Sequence, residues 1–539
     1  MRKLASLLMV ELLTFGLMFY PAPARAQVGG PSTPIWHLVV IFQENVSFDH
    51  YFGTYPNASN TSGEPQFTAL PDTPTVNGLT QALMSRNPNT LNASNVSGMS
   101  APFRLDRAQA ATADQNHNYG PEQAASHGGM MDLFPSQVGV AGPPPVPALF
   151  QQQTGSTGLT MGYYDGNTVT ALWNYAQRFA MSDNSYNTTF GPSTPGAINL
   201  VAGQTNGVIG NINGTGAVIG DGNGGLTDIG DADPLGDVCS TTTGEQFSMT
   251  GTTIGDLLNA AGVSWGFFTQ GFDLTITNAN GSTGCSRSTT SAVTNTKKAD
   301  YIPHHEPFQY YKSTANLTHA RPASKMAIGT AADTAGNHQY DMHDFYDAIL
   351  AGNYPAVSFL KAAGYQDGHA GYSDPLDEQT FIVNVINFLQ QNADWEHTAV
   401  VISYDDSDGW YDHQMPPIVN QSTTAADSLT AVGACGNGQN ALPGVAASTK
   451  AAQGRCGYGP RLPLMVISPW AKQNFVDHTV TDQTSIIRFV EDNWLNGQRI
   501  GQGSFDTIAN SIVNMLDFSK PTKKHLILDP SSGLVVKGK

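Results

Sequence analysis

Four short, mainly apolar runs punctuate the chain: 38–42 (Leu-Val-Val-Ile-Phe), 357–360 (Val-Ser-Phe-Leu), 399–402 (Ala-Val-Val-Ile) and 464–467 (Leu-Met-Val-Ile). Each is bounded by polar or turn residues. Runs this continuous suit strands of a parallel sheet covered on both faces. Helical periodicity lies between them. It spans 341–350, stopped by Gly352 and Pro355, and 378–391. A third helix starts near Asp482, passes Ile486, Ile487, Phe489, Val490 and Trp494, and ends before Gly497. The alternation predicts an α/β fold, with a central, mostly parallel sheet flanked by helices on both faces and long loop insertions. Residues 27–518 read as one domain, with insertions near 203–295 and 416–459. The stretch 203–237 is rich in Gly, Asn and Asp and reads as a surface excursion. It has no fixed period and so is no calcium repeat. Residues 519–539 carry Lys520, Lys523, Lys524, Lys537 and Lys539 and read as a tail or edge segment.

Composition adds limits. In 539 residues, 40% are hydrophobic and 13% charged, which favours a sizeable core over disorder. The 56 glycines and 32 prolines predict a loop-rich protein. Lys and Arg number 25 against 43 Asp and Glu, a formal net charge of −18. That balance argues against nucleic acid or an anionic membrane as a bulk partner. An anionic substrate then needs a locally built site. At the N-terminus, Arg2 and Lys3 precede an apolar run over 4–19, interrupted by Glu11. Ala24 and Ala26 follow at small-residue positions. This predicts a signal peptide over 1–26 and export to the periplasm or beyond. The alternative is a membrane anchor, which Glu11 and the short run disfavour. No later segment is apolar enough to span a bilayer. The four cysteines allow three pairings, and proximity favours Cys239–Cys285 and Cys435–Cys456 in an oxidising compartment. Zinc is the alternative, without a C-x-x-C spacing to support it.

The polar residues after the apolar runs carry the chemistry. The first run leads into Glu44 and Asn45, the third into Asp405 and Asp406. In open parallel sheets, ligands bind outside the carboxyl ends of strands. Either pair alone reads as a loop opening. Together they form a cluster of hard oxygen donors that needs a cation. Among the 14 histidines, His117 sits in a polar segment, His304 and His305 lie between two prolines, and His369 lies near glycines. His37, His319, His397 and His525 read as structural or surface residues. Ser193 occupies Gly191-Pro192-Ser193-Thr194-Pro195-Gly196, a tight presentation of a hydroxyl that is not a G-x-S-x-G elbow.

These residues also spell a family. Gln-Glu-Asn-Val-Ser-Phe-Asp-His-Tyr-Phe-Gly (43–53) resembles a signature of the bacterial phosphoesterases. That family contains non-haemolytic phospholipases C and secreted acid phosphatases, and is a branch of the alkaline phosphatase–sulfatase superfamily. Asp-Gln-Asn-His-Asn-Tyr (114–119), Gly-Pro-Ser-Thr-Pro-Gly (191–196), Pro-His-His-Glu-Pro-Phe (303–308), Gln-Asp-Gly-His-Ala-Gly (366–371) and Tyr-Asp-Asp-Ser-Asp-Gly-Trp-Tyr-Asp-His (404–413) are similar to further family blocks in the same order. The resemblance covers about residue 35 to about residue 495. It implies that Ser193 is the nucleophile. It implies one divalent metal, Ca, Mg or Mn ahead of Zn, among Glu44, Asn45, Ser193, Asp405 and Asp406. His117, His305 and His369 would surround the phosphoryl group, with His304 and Asn45 as further substrate contacts. His369 is the first choice as general acid and Asp406 the second. The phospholipase branch reads Gly-Pro-Thr-Asp-Pro-Asn and Asp-Glu where this chain has Ser193-Thr194-Pro195-Gly196 and Asp405-Asp406. The expectation is therefore a broad-specificity acid phosphatase acting through a phosphoserine, on small phosphate esters, with an acidic optimum. The alternatives are a phospholipase C cleaving phosphatidylcholine-type diesters and a non-catalytic exported binding protein.

Overall fold

The computed structural model describes residues 30–95, 101–140, 157–436, 451–522 and 525–538. The expected signal peptide over 1–26 lies outside them, as do part of the 416–459 segment and Lys523, Lys524 and Lys539.

Eight strands form the central sheet: β1 (His37–Gln43), β2 (Ala180–Ser182), β3 (Trp265–Thr269), β4 (Gln339–Tyr340), β5 (Val357–Lys361), β6 (Thr398–Tyr404), β7 (Leu464–Ile467) and β8 (Phe475–Asp477). Their order is β4-β3-β5-β1-β6-β7-β2-β8. All seven residues of β6 are buried. Successive side chains point to opposite faces, so both faces of the sheet are covered. The named helices are α1 (Tyr119–Ser126), α2 (Ser193–Ala202), α3 (Ile254–Ala261), α4 (Met342–Leu350), α5 (Pro375–Gln390) and α6 (Thr484–Trp494). Asp341 caps α4 with a reciprocal Asp344 contact. Asp374 caps α5, whose first residue is Pro375. The sheet and helices α2 to α6 share one hydrophobic cluster, while α1 packs in two smaller ones.

All four apolar runs are strands of this sheet, and the three periodic segments are α4, α5 and α6 within a few residues. The direction of one strand differs from expectation. β7 runs antiparallel to β6, pairing Val400 with Ile467 and Ile402 with Met465. Apolarity reports burial, not direction, so the run could not reveal this. The supposed insertion at 203–295 is only partly an insertion. It contains α3 and β3, and β3 pairs in parallel with β5 (Trp265 with Val357, Thr269 with Lys361). Gly266 hid β3, because glycine weakens a strand signal. The 203–237 excursion is itself built of short strands, Val208–Ile212 and the hairpin Val218–Gly220 with Leu226–Asp228. The C-terminal segment is neither a loose tail nor an edge of the main sheet. Leu526–Leu528 and Val535–Gly538 form their own hairpin. It docks on α5, where Gln390 Nε2 donates to the Leu526 carbonyl and Asn387 Nδ2 to that of Leu528, both at 2.8 Å. The cysteines pair as expected, Cys239–Cys285 and Cys435–Cys456.

Candidate active site

Adjacent parallel strands β5, β1 and β6 end at one edge, and their next residues meet there. Backbone bonds fix the meeting: Glu44 N–H donates to the Asp367 carbonyl at 2.9 Å, and Val46 N–H to the Asp406 carbonyl at 2.8 Å. Asn45 sits between them at φ 58°, a left-handed conformation that asparagine tolerates better than most residues. Such positions concentrate at functional sites.

Ser193 enters from the side as the first residue of α2. Gly191, at φ 120°, makes the turn before it. A Cβ on Gly196 would lie 2.2 Å from the Asp405 carbonyl oxygen. Only glycine lets the first turn of α2 pack on the end of β6. The Ser193 hydroxyl is thereby held at 3.1 Å from Glu44 Oε2 and 3.2 Å from Asp406 Oδ2, donating toward both. Glu44, Asn45, Ser193, Asp405 and Asp406 are all buried. Of the sequence-predicted set, these five come together.

Two of the oxygens carry an unsolved charge problem. Burial, then the charge of Asp405, pushes Glu44 well above the usual carboxylate range, against the pull of Lys361. Burial and Asp405 push Asp406 up likewise. Asp405 Oδ2 is buried with no hydrogen-bond partner. The Asn45 amide has two orientations. In one, its nitrogen donates to Glu44 Oε2 at 2.9 Å and Asp405 Oδ1 at 3.3 Å, and its oxygen accepts from His369 Nε2 at 3.2 Å. In the other, its oxygen joins those carboxylate oxygens and lies 3.5 Å from Ser193 Oγ. Oxygens packed that way need a cation between them. The donor set and the orphaned oxygen thus fit a hard divalent cation. A nitrogen-richer cluster, Asp114, His117 and His369, brings ligand atoms within 4.8 Å of one another, but Asp114 is exposed.

The histidines divide. His305 is 3% exposed and its Nδ1 lies 3.2 Å from Glu44 Oε1. His304, 26% exposed, turns away to Asp233 at 3.4 Å. The expected inward role of His304 therefore fails, because two adjacent residues of a short 3-10 turn cannot face the same way. His117 and His369 both approach Asn45, His117 Nε2 at 3.3 Å from the amide. Burial would lower His117, but Asp406, Asp408 and Asp114 outweigh it and hold it well above the usual imidazole value. Burial pushes His369 down to about 4, with His117 and Lys298 adding to the drop against Asp114. Burial, Lys361 and other cationic neighbours lower His305 too. Of the three histidines, His117 alone is held above the ordinary imidazole value.

Sequence reasoning missed four members. Lys361, the last residue of β5, pairs with Glu44. Asp367 lies 3.9 Å from His305 and is pushed up to about 7, mainly by burial. Asp408 holds His117 Nδ1 at 3.2 Å. Glu122 of α1 accepts from Gly191 N–H at 3.0 Å and Ser407 Oγ at 2.6 Å, tying the two loops together.

A family model described as the phosphoesterase family matches residues 35–495. The chain belongs to the phosphoesterase family. Among phosphoesterase relatives, a protein named non-hemolytic phospholipase C from Pseudomonas aeruginosa is 26% identical over 467 residues. That match takes 85% of this chain and 54% of the relative, so the chain spans about half the relative's length. Phospholipase C A of Mycobacterium tuberculosis is 26% identical over 489 residues, 88% of this chain and 76% of the relative. A solved alkaline phosphatase superfamily protein from Vibrio parahaemolyticus is 12% identical, covering 82% of this chain and 81% of its own, at a TM-score of 0.27. That likeness is too slight to argue from.

Proposed function

We propose that this phosphoesterase hydrolyses phosphoric esters with Ser193 as its nucleophile. One observation carries the reading: a buried serine hydroxyl at a helix N-terminus, shared between two carboxylates beside a partnerless carboxylate oxygen. Glu44, Asn45, Asp405, Asp406 and the Ser193 oxygen would hold one divalent cation, with calcium, magnesium or manganese suiting an all-oxygen set better than zinc. Such a cation supplies positive charge that favours the serine alkoxide and offsets phosphoryl charge. Glu44 or Asp406, whose oxygens lie 3.1 and 3.2 Å from Ser193 Oγ, accepts the hydroxyl proton. Ser193 Oγ bonds to phosphorus as the bond to the leaving alcohol breaks. The N-terminus of α2 favours the negative charge that gathers there. His117 protonates the departing alkoxide. It then takes a proton from the water that attacks phosphoserine; the bond from phosphorus to Ser193 Oγ breaks, the serine oxygen recovers its proton from the Glu44 or Asp406 carboxyl, and the phosphoryl product leaves. Asp408 preserves this role of His117 even where a cation offsets Asp406.

The phosphodiester substrate class leads, because relatives at about a quarter identity carry phospholipase C names. The acid phosphatase expectation draws no support from those names. One observation keeps it as a second reading: His117, His305 and His369 all reach residues that touch Ser193, giving N–H donors for several free phosphoryl oxygens. Two disulfides support an oxidising compartment. Among the described residues no helix is long and apolar enough to cross a membrane. The test is hydrolysis of p-nitrophenyl phosphorylcholine and p-nitrophenyl phosphate by the wild type and Ser193→Ala. Full activity in the variant on both would end the serine mechanism. The ratio of the two rates in the wild type decides the substrate class.

A further inference from the structure

We propose that Lys298 sets the charge preference of this site, favouring substrates with a second negative charge and disfavouring choline-type cations. The inference rests on the phosphoester reading above and names its substrate class more narrowly. Lys298 belongs to the small hairpin Ser288–Thr290 with Lys297–Ala299. That hairpin is fixed to the loop bearing His369. Thr294 and Thr296 hydroxyls donate to the Tyr372 carbonyl at 3.4 and 3.1 Å, and Ser291 Oγ to Asp377 at 2.6 Å. The Lys298 ammonium lies 3.7 Å from the centroid of the Tyr372 ring. That ring in turn stacks on His369 at 4.3 Å. His369 reaches Asn45, which lies against Ser193.

The half-buried Lys298 ammonium makes neither an ion pair nor a hydrogen bond among the described residues. The chain carries 43 acidic side chains against 25 basic ones. Its charge reaches the buried Asp367 carboxyl, but no carboxylate among the described residues stands within ion-pair distance of the Lys298 ammonium, and two stacked rings, Tyr372 and His369, lead from it to Asn45, so an anionic group of the substrate gives it a direct partner. The same contact closes the Tyr372 ring to a quaternary ammonium. Aromatic faces attract such cations, but this one is already covered by a cation, and like charges repel. A phosphocholine group therefore gains nothing there, whereas an anionic group gains a charge partner. The second charge can sit on phosphorus, as in a monoester dianion, or on the alcohol of a diester.

The test uses the full chain and three p-nitrophenyl esters: the phosphate, the phosphorylcholine diester and the carboxymethyl phosphate diester. Lys298→Glu should lower kcat/KM for the phosphate relative to phosphorylcholine by roughly tenfold, mostly through KM, an effect of about 1.4 kcal/mol. Lys298→Arg should retain the wild-type ratio. The wild-type ratio should also shrink as salt screens the half-exposed charge. A parallel loss on the carboxymethyl diester means the charge is read on the alcohol, and its absence means it is read on phosphorus. If Lys298→Glu and Lys298→Gln alter all three esters in equal proportion, or leave the ratios unmoved, the proposal is overturned. Ser193→Ala separates the two levels: it tests the serine mechanism on every ester, whatever becomes of the ratios.

Discussion

The oxygen-lined half of the site and its histidine-lined half are built by different means. Glu44, Asn45, Asp405 and Asp406 follow directly from the ends of β1 and β6, whose full pairing runs from His37–Thr398 to Gln43–Tyr404. Their positions are set by two almost wholly buried strands. His117, His305 and His369 come from three separate loops, and each is oriented by a local partner: Asp408, Glu44 and the Ala370 carbonyl respectively. A sheet edge is stiff and bears the groups whose mutual distances matter most. Loops tolerate sequence change, so they carry the groups that tune charge and substrate. Changes on the oxygen side should cost most, and changes on the histidine side should be graded.

Ser193, where the halves meet, gives the largest expected effect. Ser193→Ala should lower turnover by about a thousandfold or more, since among the described residues no other hydroxyl shares its place against Glu44 and Asp406. Acid quench with a labelled ester should trap phosphate on the wild-type Ser193 peptide and not on the variant. Next come Asp405→Asn and Asp406→Asn. Each removes one anion from the oxygen set and should reduce activity roughly a hundredfold, together with bound divalent metal. Elemental analysis with full metal occupancy in both variants would point instead to the Asp114, His117 and His369 cluster.

How far the sequence could be read follows the same division. The strands that carry the oxygen side are continuous apolar runs, so both the sheet and Glu44, Asn45, Asp405 and Asp406 were legible. Ser193 stood out by the glycines its turn requires, and the structure gives the reason in the approach of Gly196 to Asp405. Lys361 and Asp367 were not legible, because their meaning lies in which strands are neighbours, and β5 beside β1 is a fact of sheet order. The lowered state of His369, the expected proton donor, was not legible for a similar reason. Its environment depends on burial and on cations brought by distant loops, none of which a Gly-flanked histidine announces.

A pH profile sharpens the histidine side. His117 is raised above its ordinary value, so it stays protonated into the neutral range and loses its proton as pH rises through the raised value. Its donor role should give activity a falling limb on the alkaline side. Asp408→Asn removes a stabilising carboxylate 3.2 Å away and should move that limb to lower pH. A limb that stays in place in the variant would assign the proton to another group.

The smallest effect should separate two neighbours in the chain. His305→Ala removes a buried ring that touches Glu44 and approaches Asp367. It leaves a hole beside buried charge and should cost roughly ten- to a hundredfold in kcat/KM. His304→Ala removes a ring whose partner is Asp233, on a strand of the excursion sheet and not of the site. That pair is partly exposed, and surface pairs contribute about 0–1 kcal/mol. Activity should therefore stay within about twofold, with only a slight fall in melting temperature. Steady-state kinetics on both variants checks the difference. Equal losses would mean that the turn at Pro303–His305 acts as one unit, and that its placement, not the inward ring alone, matters to the phosphoryl position.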